Sequence, residues 1–237
     1  MELEFLRQKL INFFLNLKVF SDEICNPIGR LEGCVISYLN LALNKIRNFS
    51  GGWPSNNTLE YFDKFSSNWI ISKGITSSIQ HCMVTLPNGN LVILGGYKTG
   101  LKVQVFDVNL EEWISLPPLK MYSDRHDCIL LPNTEDQIVV VGRYNRAEMY
   151  SIHSGTSITF QGPKYVRGFA KLARINDEVY VLGGHYHTDK VEKLVQDKDT
   201  GKFRFESLSY NLHKGRSRFS CTAVTKSYIK SLGYDCQ

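Results

Sequence analysis

Six cysteines are spread over 237 residues with no Cys-x-x-Cys among them, so zinc-ribbon and dithiol-redox readings have no motif to rest on. Also missing are Gly-x-Ser-x-Gly, the phosphate-cradling Gly-rich loop and His-Glu-x-x-His, which removes common signatures of hydrolases, nucleotide enzymes and metalloproteases. No apolar run approaches the roughly 18 residues a membrane-spanning helix needs. Charge of one sign is scarce too: 28 Lys and Arg face 23 Asp and Glu, and a net of +5 is too mild to imply a nucleic-acid partner. These absences point away from catalysis, from membranes and from nucleic acid, and no cofactor or metal is expected.

What the sequence does have is a repeated double glycine. Asn90-Leu91-Val92-Ile93-Leu94-Gly95-Gly96 has a counterpart in Asp177-Glu178-Val179-Tyr180-Val181-Leu182-Gly183-Gly184, with weaker copies ending at Gly51-Gly52 and Gly142-Arg143. The first glycines stand 44, 47 and 41 residues apart. A period of that length, built from short apolar runs and turns, is the mark of a β-propeller. Cys34, Cys82, Cys128 and Cys221 each open an apolar run ahead of a repeat, with Ala170 in the remaining place. Tyr61-Phe62-Asp63 leads to Trp69 and Val105-Phe106-Asp107 to Trp113 at one spacing; Phe160 and Phe203 take the aromatic's place in the worn copies.

Gly-Gly, then aromatic-Asp, then Trp six residues on resembles the kelch motif. The likeness extends over about residues 31 to 237, and is most complete at Gly95–Trp113 with Leu-Pro-Asn-Gly-Asn before it and Ser-Leu-Pro-Pro-Leu after it. Arg143 in the second glycine position and the absent Trp at 160 and 203 depart from it. The resemblance implies an all-β fold, a kelch-type β-propeller arc of four-stranded antiparallel blades. It also implies a scaffold or substrate-recognition module, of the kind that serves ubiquitin ligases or the cytoskeleton. Glycines on crowded inner strands, and aromatics filling the wider outer gaps, are structural first.

The units fall at about 31–77, 78–123, 124–165 and 166–216, with a partial one at 217–237. That is fewer than the six or seven blades with which members of this family usually close, so an incomplete arc would leave faces for self-association. Ahead of the repeats, Leu3, Leu6, Leu10, Phe13, Phe14 and Leu17 keep a helical spacing, which predicts an amphipathic helix or degenerate cap over residues 1–30. Glu2 and Glu4 at its start, and the lack of a small-residue cleavage site before Ser21, argue against a secretory signal. The repeat cysteines read as small buried thiols. They favour a reducing, cytoplasmic setting, with secretion as the alternative in which Asn48-Phe49-Ser50 and Asn56-Asn57-Thr58 would serve as sequons.

Charge separates by loop. In an up-and-down blade the second-to-third loop and the loop into the next blade emerge on one face. That face collects Lys98, Arg125, Arg143, Arg146, Lys164, Arg167, Lys214, Arg216 and Arg218, against Asp124 and Asp189. The opposite loops collect Glu111, Glu112, Glu135, Asp136, Asp177, Glu178, Asp197 and Asp199, against Lys64 and Lys198. The basic rim also carries Trp53, Tyr97, Tyr144, Tyr165 and His185-Tyr186-His187. Guanidinium forks grip carboxylates and Tyr offers contact area at low entropic cost, a recognition composition.

The expected partner-binding set is Tyr97, Arg125, Arg143, Tyr144, Arg146, Arg167, His185, Tyr186, His187, Arg216 and Arg218, and its partner a protein or an acidic or phosphorylated peptide. His185-x-His187 on a strand-like loop would point both rings one way, but a metal site needs three or four ligands and no further one stands at a fixed spacing. The runner-up is a relative of the galactose-oxidase-like copper radical oxidases that has lost its metal. Their Tyr-Cys crosslink and ligand set match nothing here residue by residue, and the Ser-x-Asp-x-Gly-x-x-Trp boxes of sialidase propellers are absent.

Overall fold

The computed structural model describes residues 80–97, 100–121, 125–142 and 145–221, and the strands at 37–38, 48–50, 58–63 and 68–73. The chain divides into two units, Met1–Glu32 and Gly33–Gln237, and every described residue belongs to the second. The helix expected over residues 1–30 and the segment 222–237 lie outside the described residues.

Among the described residues sixteen strands form four sheets. Sheet 1 holds β1 (Ser37–Tyr38), β2 (Asn48–Ser50), β3 (Thr58–Asp63) and β4 (Asn68–Lys73). Sheet 2 holds β5 (Cys82–Thr85), β6 (Leu91–Leu94), β7 (Val103–Asp107) and β8 (Glu112–Leu116). Sheet 3 holds β9 (Asp127–Leu130), β10 (Gln137–Val141), β11 (Arg146–Ser151) and β12 (Thr156–Gln161). Sheet 4 holds β13 (Lys171–Ile175), β14 (Glu178–Leu182), β15 (Lys190–Gln196) and β16 (Phe203–Asn211). Each sheet is an antiparallel meander in chain order, and the first strands neighbour one another, β5 beside β9 and β9 beside β13. The fold is therefore all-β and propeller-like, with first strands innermost.

Sequence pattern tracks position in the sheet. The second strands of sheets 2 and 3 are covered on both faces and read as continuous apolar runs, Leu91–Leu94 and Ile138–Val141 being buried throughout. Fourth strands such as β8 and β12 are mostly exposed or half-buried. Between sheets 2 and 3, Val84, Val92, Leu94, Val103 and Val105 meet Ile138, Val140 and Tyr150. Between sheets 3 and 4, Val139, Val141 and Met149 meet Leu172, Val179, Val181 and Leu194. The far face of sheet 4 changes character: Tyr180 and Lys193 both bond Glu178, and Arg204 bonds Glu206 and Asp197. Tyr180 holds the place that Val92 and Val139 hold in the preceding sheets, each paired three residues ahead of its glycine.

The glycine pairs do what their residue type suggests. Gly95, Gly96, Gly183 and Gly184 all have positive φ, and a Cβ on Gly183 would stand 2.4 Å from the Arg216 carbonyl oxygen. The residue two ahead of the first strand in sheets 2, 3 and 4 is also left-handed, although none is glycine: Gln80, Arg125 and Phe169; Arg218, in the last described loop, is left-handed as well. Phe169 N–H donates to Arg125 C=O (2.7 Å) and Arg218 N–H to Phe169 C=O (3.1 Å), a backbone chain that steps from sheet to sheet.

Register corrects two sequence alignments. Cys82 pairs Leu94, one residue before Gly95, whereas Cys128 pairs Val140, two before Gly142. An offset of one residue turns a side chain to the other face. Cys82 therefore looks forward from sheet 2 and Cys128 back from sheet 3, and they form a disulfide with Cα atoms 5.7 Å apart. The expectation of buried free thiols fails at these two positions, and Cys221, free, is exposed rather than buried. The cysteines thus lend no support to a reducing compartment. The aromatic place also shifts. Trp113 pairs Phe106, as Trp69 pairs Phe62, but the matching partner is Ser157 opposite Tyr150 and Phe205 opposite Leu194, not Phe160 and Phe203. Phe160 instead faces sheet 4, 5.9 Å from Phe203 and 6.2 Å from Phe205 between ring centres.

Candidate binding rim

Hydrogen bonds bring the two expected sets of loops together at one end of the sheets. Leu119 N–H donates to Leu101 C=O (2.8 Å), Gly162 N–H to Asn145 C=O (3.1 Å) and Gly184 N–H to Arg216 C=O (2.9 Å), each joining a second-to-third loop to a loop that leaves the same sheet. Asn145 Nδ2 adds a bond to the Lys164 carbonyl (2.9 Å). At the other end, Asp107 Oδ1 accepts Asn109 N–H and Leu110 N–H, and Asp197 Oδ1 accepts Asp199 N–H and Thr200 N–H. Those backbone bonds hold both carboxyls below the usual carboxylate range. Part of the acidic rim is therefore turn chemistry.

Two buried glutamates set the basic loops, and the sequence reading missed both. Glu148, fully buried in β11, accepts Lys120 N–H (2.7 Å) and Met121 N–H (3.0 Å) from the loop entering its own sheet. Glu192, at the matching place in β15, accepts Lys164 N–H (2.8 Å) and the Arg167 guanidinium (2.6 Å and 3.2 Å). Gln104 of β7 holds the same register: it pairs Ile93 as Glu148 pairs Val140 and Glu192 pairs Val181. The signal was present as a Gln or Glu two residues before Phe106, Tyr150 and Leu194.

The expected binding residues then sort by exposure. Arg146, Arg216 and Arg218 are exposed, Tyr97 is 49% and Tyr186 82% exposed, and Arg125 and His185 are half-buried. Arg143 and Tyr144 lie outside the described residues, as does the His187 side chain. Arg167 must be removed from the surface set. It has no exposed area, and its Nη1 donates to the carbonyls of Gly183 (2.5 Å) and Lys190 (2.8 Å) while its other nitrogens bind Glu192. Burial pulls this guanidinium down from its ordinary value against the opposing pull of Glu192. The His185–His187 segment is a 3-10 turn with Tyr186 left-handed, not the strand-like loop expected, so the alternation argument for paired imidazoles does not apply.

At the inner end of the rim the left-handed residues stack. The Arg218 guanidinium lies 4.5 Å from the centre of the Phe169 ring and that of Arg125 lies 5.3 Å from it. Phe169, unnoticed in the sequence, thus carries two cations. Tyr165 carries Lys164 and Arg167 at 5.8 and 5.6 Å, and His185 packs edge-on to Tyr186 at 4.3 Å. Beneath this layer His126 is buried, its Nε2 2.8 Å from the Leu94 carbonyl oxygen. Burial, with help from His81 and Lys171, pushes its imidazole down to about 4. Asp127 accepts Lys171 Nζ (3.0 Å) and Leu172 N–H (2.7 Å), yet desolvation keeps its carboxyl above the usual range.

No family model matches the sequence, and no curated protein matches it. Among solved structures the chain is similar to one described as a novel fungal alcohol oxidase with catalytic diversity among the AA5 family, in complex with copper, at 12% identity and a TM-score of 0.48. The match covers 79% of this chain and 56% of the other, so the chain spans little more than half the length of that protein. Among the described residues no three His, Cys, Asp or Glu side chains group to hold a metal ion.

Proposed function

We propose that this chain is a kelch-type propeller module whose basic rim binds protein, without catalysis, by taking an acidic or phosphorylated peptide segment. The reading is supported above all by the Arg125–Phe169–Arg218 cluster, in which the guanidinium carbons of Arg218 and Arg125 lie 4.5 and 5.3 Å from the centre of one ring at the inner end of the rim. Guanidinium groups have the donor geometry that matches carboxylate and phosphate, and two of them are gathered here on one ring. Around the cluster, Arg146, Lys164, Lys214 and Arg216 are exposed on loops that buried Glu148 and Glu192 and the inter-loop hydrogen bonds hold in place. Exposed Tyr97 and Tyr186 add contact area.

The test is a panel of fluorescent peptides that are acidic, phosphorylated, neutral or basic, titrated with the full chain. Acidic and phosphorylated members should bind, and binding should weaken as salt shortens the screening length below about 8 Å. Equal binding of neutral or basic members would remove the reading.

A further inference from the structure

Four consecutive residues tie β9 to the sheets on either side. The Arg125 carbonyl accepts Phe169 N–H, and Asp127 holds Lys171 and the Leu172 amide, so these two reach sheet 4. His126 reaches the Leu94 carbonyl oxygen at the end of β6, and Cys128 is bonded to Cys82 of β5, so these two reach sheet 2. Among these four ties, one is covalent and can be made and broken by redox chemistry. Once broken, it leaves two thiols in an aliphatic seam beside Val84, Leu94 and Val140, with the His126 contact still reaching across from this segment. The seam between sheets 3 and 4 has no matching bond: in the register of Cys82 it carries Asp127, and in that of Cys128 it carries Leu172.

We propose that Cys82–Cys128 is a redox-reversible latch on the seam between sheets 2 and 3, and that its state sets how firmly the loop bearing Arg125 is held. Formation needs a disulfide oxidant: Cys82 and Cys128 give up two protons and two electrons, and the oxidant's S–S bond is cleaved into two thiols. A dithiol reductant reverses the step, closing its own disulfide while Cys82 and Cys128 regain their protons. The sulfurs sit on residues 1% and 8% exposed, so exchange in the folded protein waits on local opening of the seam.

Thiol labelling and amide hydrogen exchange test this on the full chain, prepared with a disulfide oxidant and again after treatment with a dithiol. In the oxidised protein, denatured without reductant, the peptides carrying Cys82 and Cys128 should be joined and unlabelled; after the dithiol both should label. Amide exchange over residues 81–86 and 125–131 should rise by about ten-fold or more on reduction, as expected for a released local tie, and by clearly more than in β14 and β15. A Cys82→Ala/Cys128→Ala variant should show the faster exchange with and without dithiol; should it not fold, the two redox states of the wild type decide. Labelling of both cysteines in the oxidised protein, unchanged exchange on reduction, or an equal rise across all sheets would each overturn the latch.

Discussion

Arg167 Nη2 and Glu192 Oε2 stand 2.6 Å apart with no side-chain surface exposed on either residue, joining the loop that enters sheet 4 to its third strand. Removing one partner strands a charge where water cannot reach it. Arg167→Ala should therefore cost about 3–5 kcal/mol in urea unfolding. Arg174→Ala, which breaks the exposed pair with Asp177, should cost under about 1 kcal/mol. Equal midpoints for the two variants would mean that Arg167 is not buried as described.

The disulfide closes a loop with a sequence separation of 46. Constraining the unfolded chain over that length is worth about 4 kcal/mol in the chain-entropy model. Reduction, or Cys128→Ser, should lower unfolding stability by that order. Cys221→Ser, at an exposed free cysteine, should change it by less than about 0.5 kcal/mol.

His126 gives the protein a pH dependence whose sign is set by burial. Its folded-state value, about 4, lies below the ordinary histidine value of 6.5. Above the unfolded value both states are neutral and the full stability is present. As pH falls from about 6.5 toward 4, the unfolded chain takes up a proton that the folded one refuses, and stability drops by on the order of 3 kcal/mol. Asp127, raised by burial, works the other way as it protonates, so the comparison needs a His126→Gln control. Denaturant midpoints at pH 7 and pH 5 should differ clearly in the wild type and less in the variant; equal slopes would contradict the assignment.

Phe106 is 1% exposed in the cluster of Met83, Leu91, Ile93 and Val108, while Trp113 packs against that cluster half-buried, 5.2 Å from the Phe106 ring. Phe106→Ala should cost about 3–5 kcal/mol and Trp113→Ala less than that range. Ser157, in the register of Trp113, buries a hydroxyl with no hydrogen-bond partner. Ser157→Ala should be neutral or stabilising by up to about 1 kcal/mol, because it removes a desolvated polar group. Thermal melts of the three variants check the order.

The double glycines made the repeat legible because left-handed turns and close backbone approach leave few alternatives to glycine, and they mark the end of the second strand in sheets 2 and 4. Register was not legible. A spacing of 46 residues between Cys82 and Cys128 looks like equivalence, yet a shift of one residue reverses the face and turns two expected thiols into a bond. Exposure of arginines was not legible either, since Arg167 and Arg146 look alike until Glu192 is placed beneath one of them. Phe169 stayed hidden because its role comes from a left-handed backbone and two neighbours 44 and 49 residues away, Arg125 and Arg218.

Charge reversal on each rim probes the binding reading most directly. Wild type, Arg146→Glu/Arg216→Glu/Arg218→Glu and Glu111→Lys/Glu135→Lys/Asp177→Lys should be titrated with one acidic peptide at fixed ionic strength, after thermal melts show all three folded. The arginine variant should lose about ten-fold or more in affinity, since each lost charge-assisted hydrogen bond is worth about 1.5–3 kcal/mol. The acidic-rim variant should bind as the wild type does. Full binding by the arginine variant, with loss in the acidic-rim variant, would contradict the basic rim as the binding face.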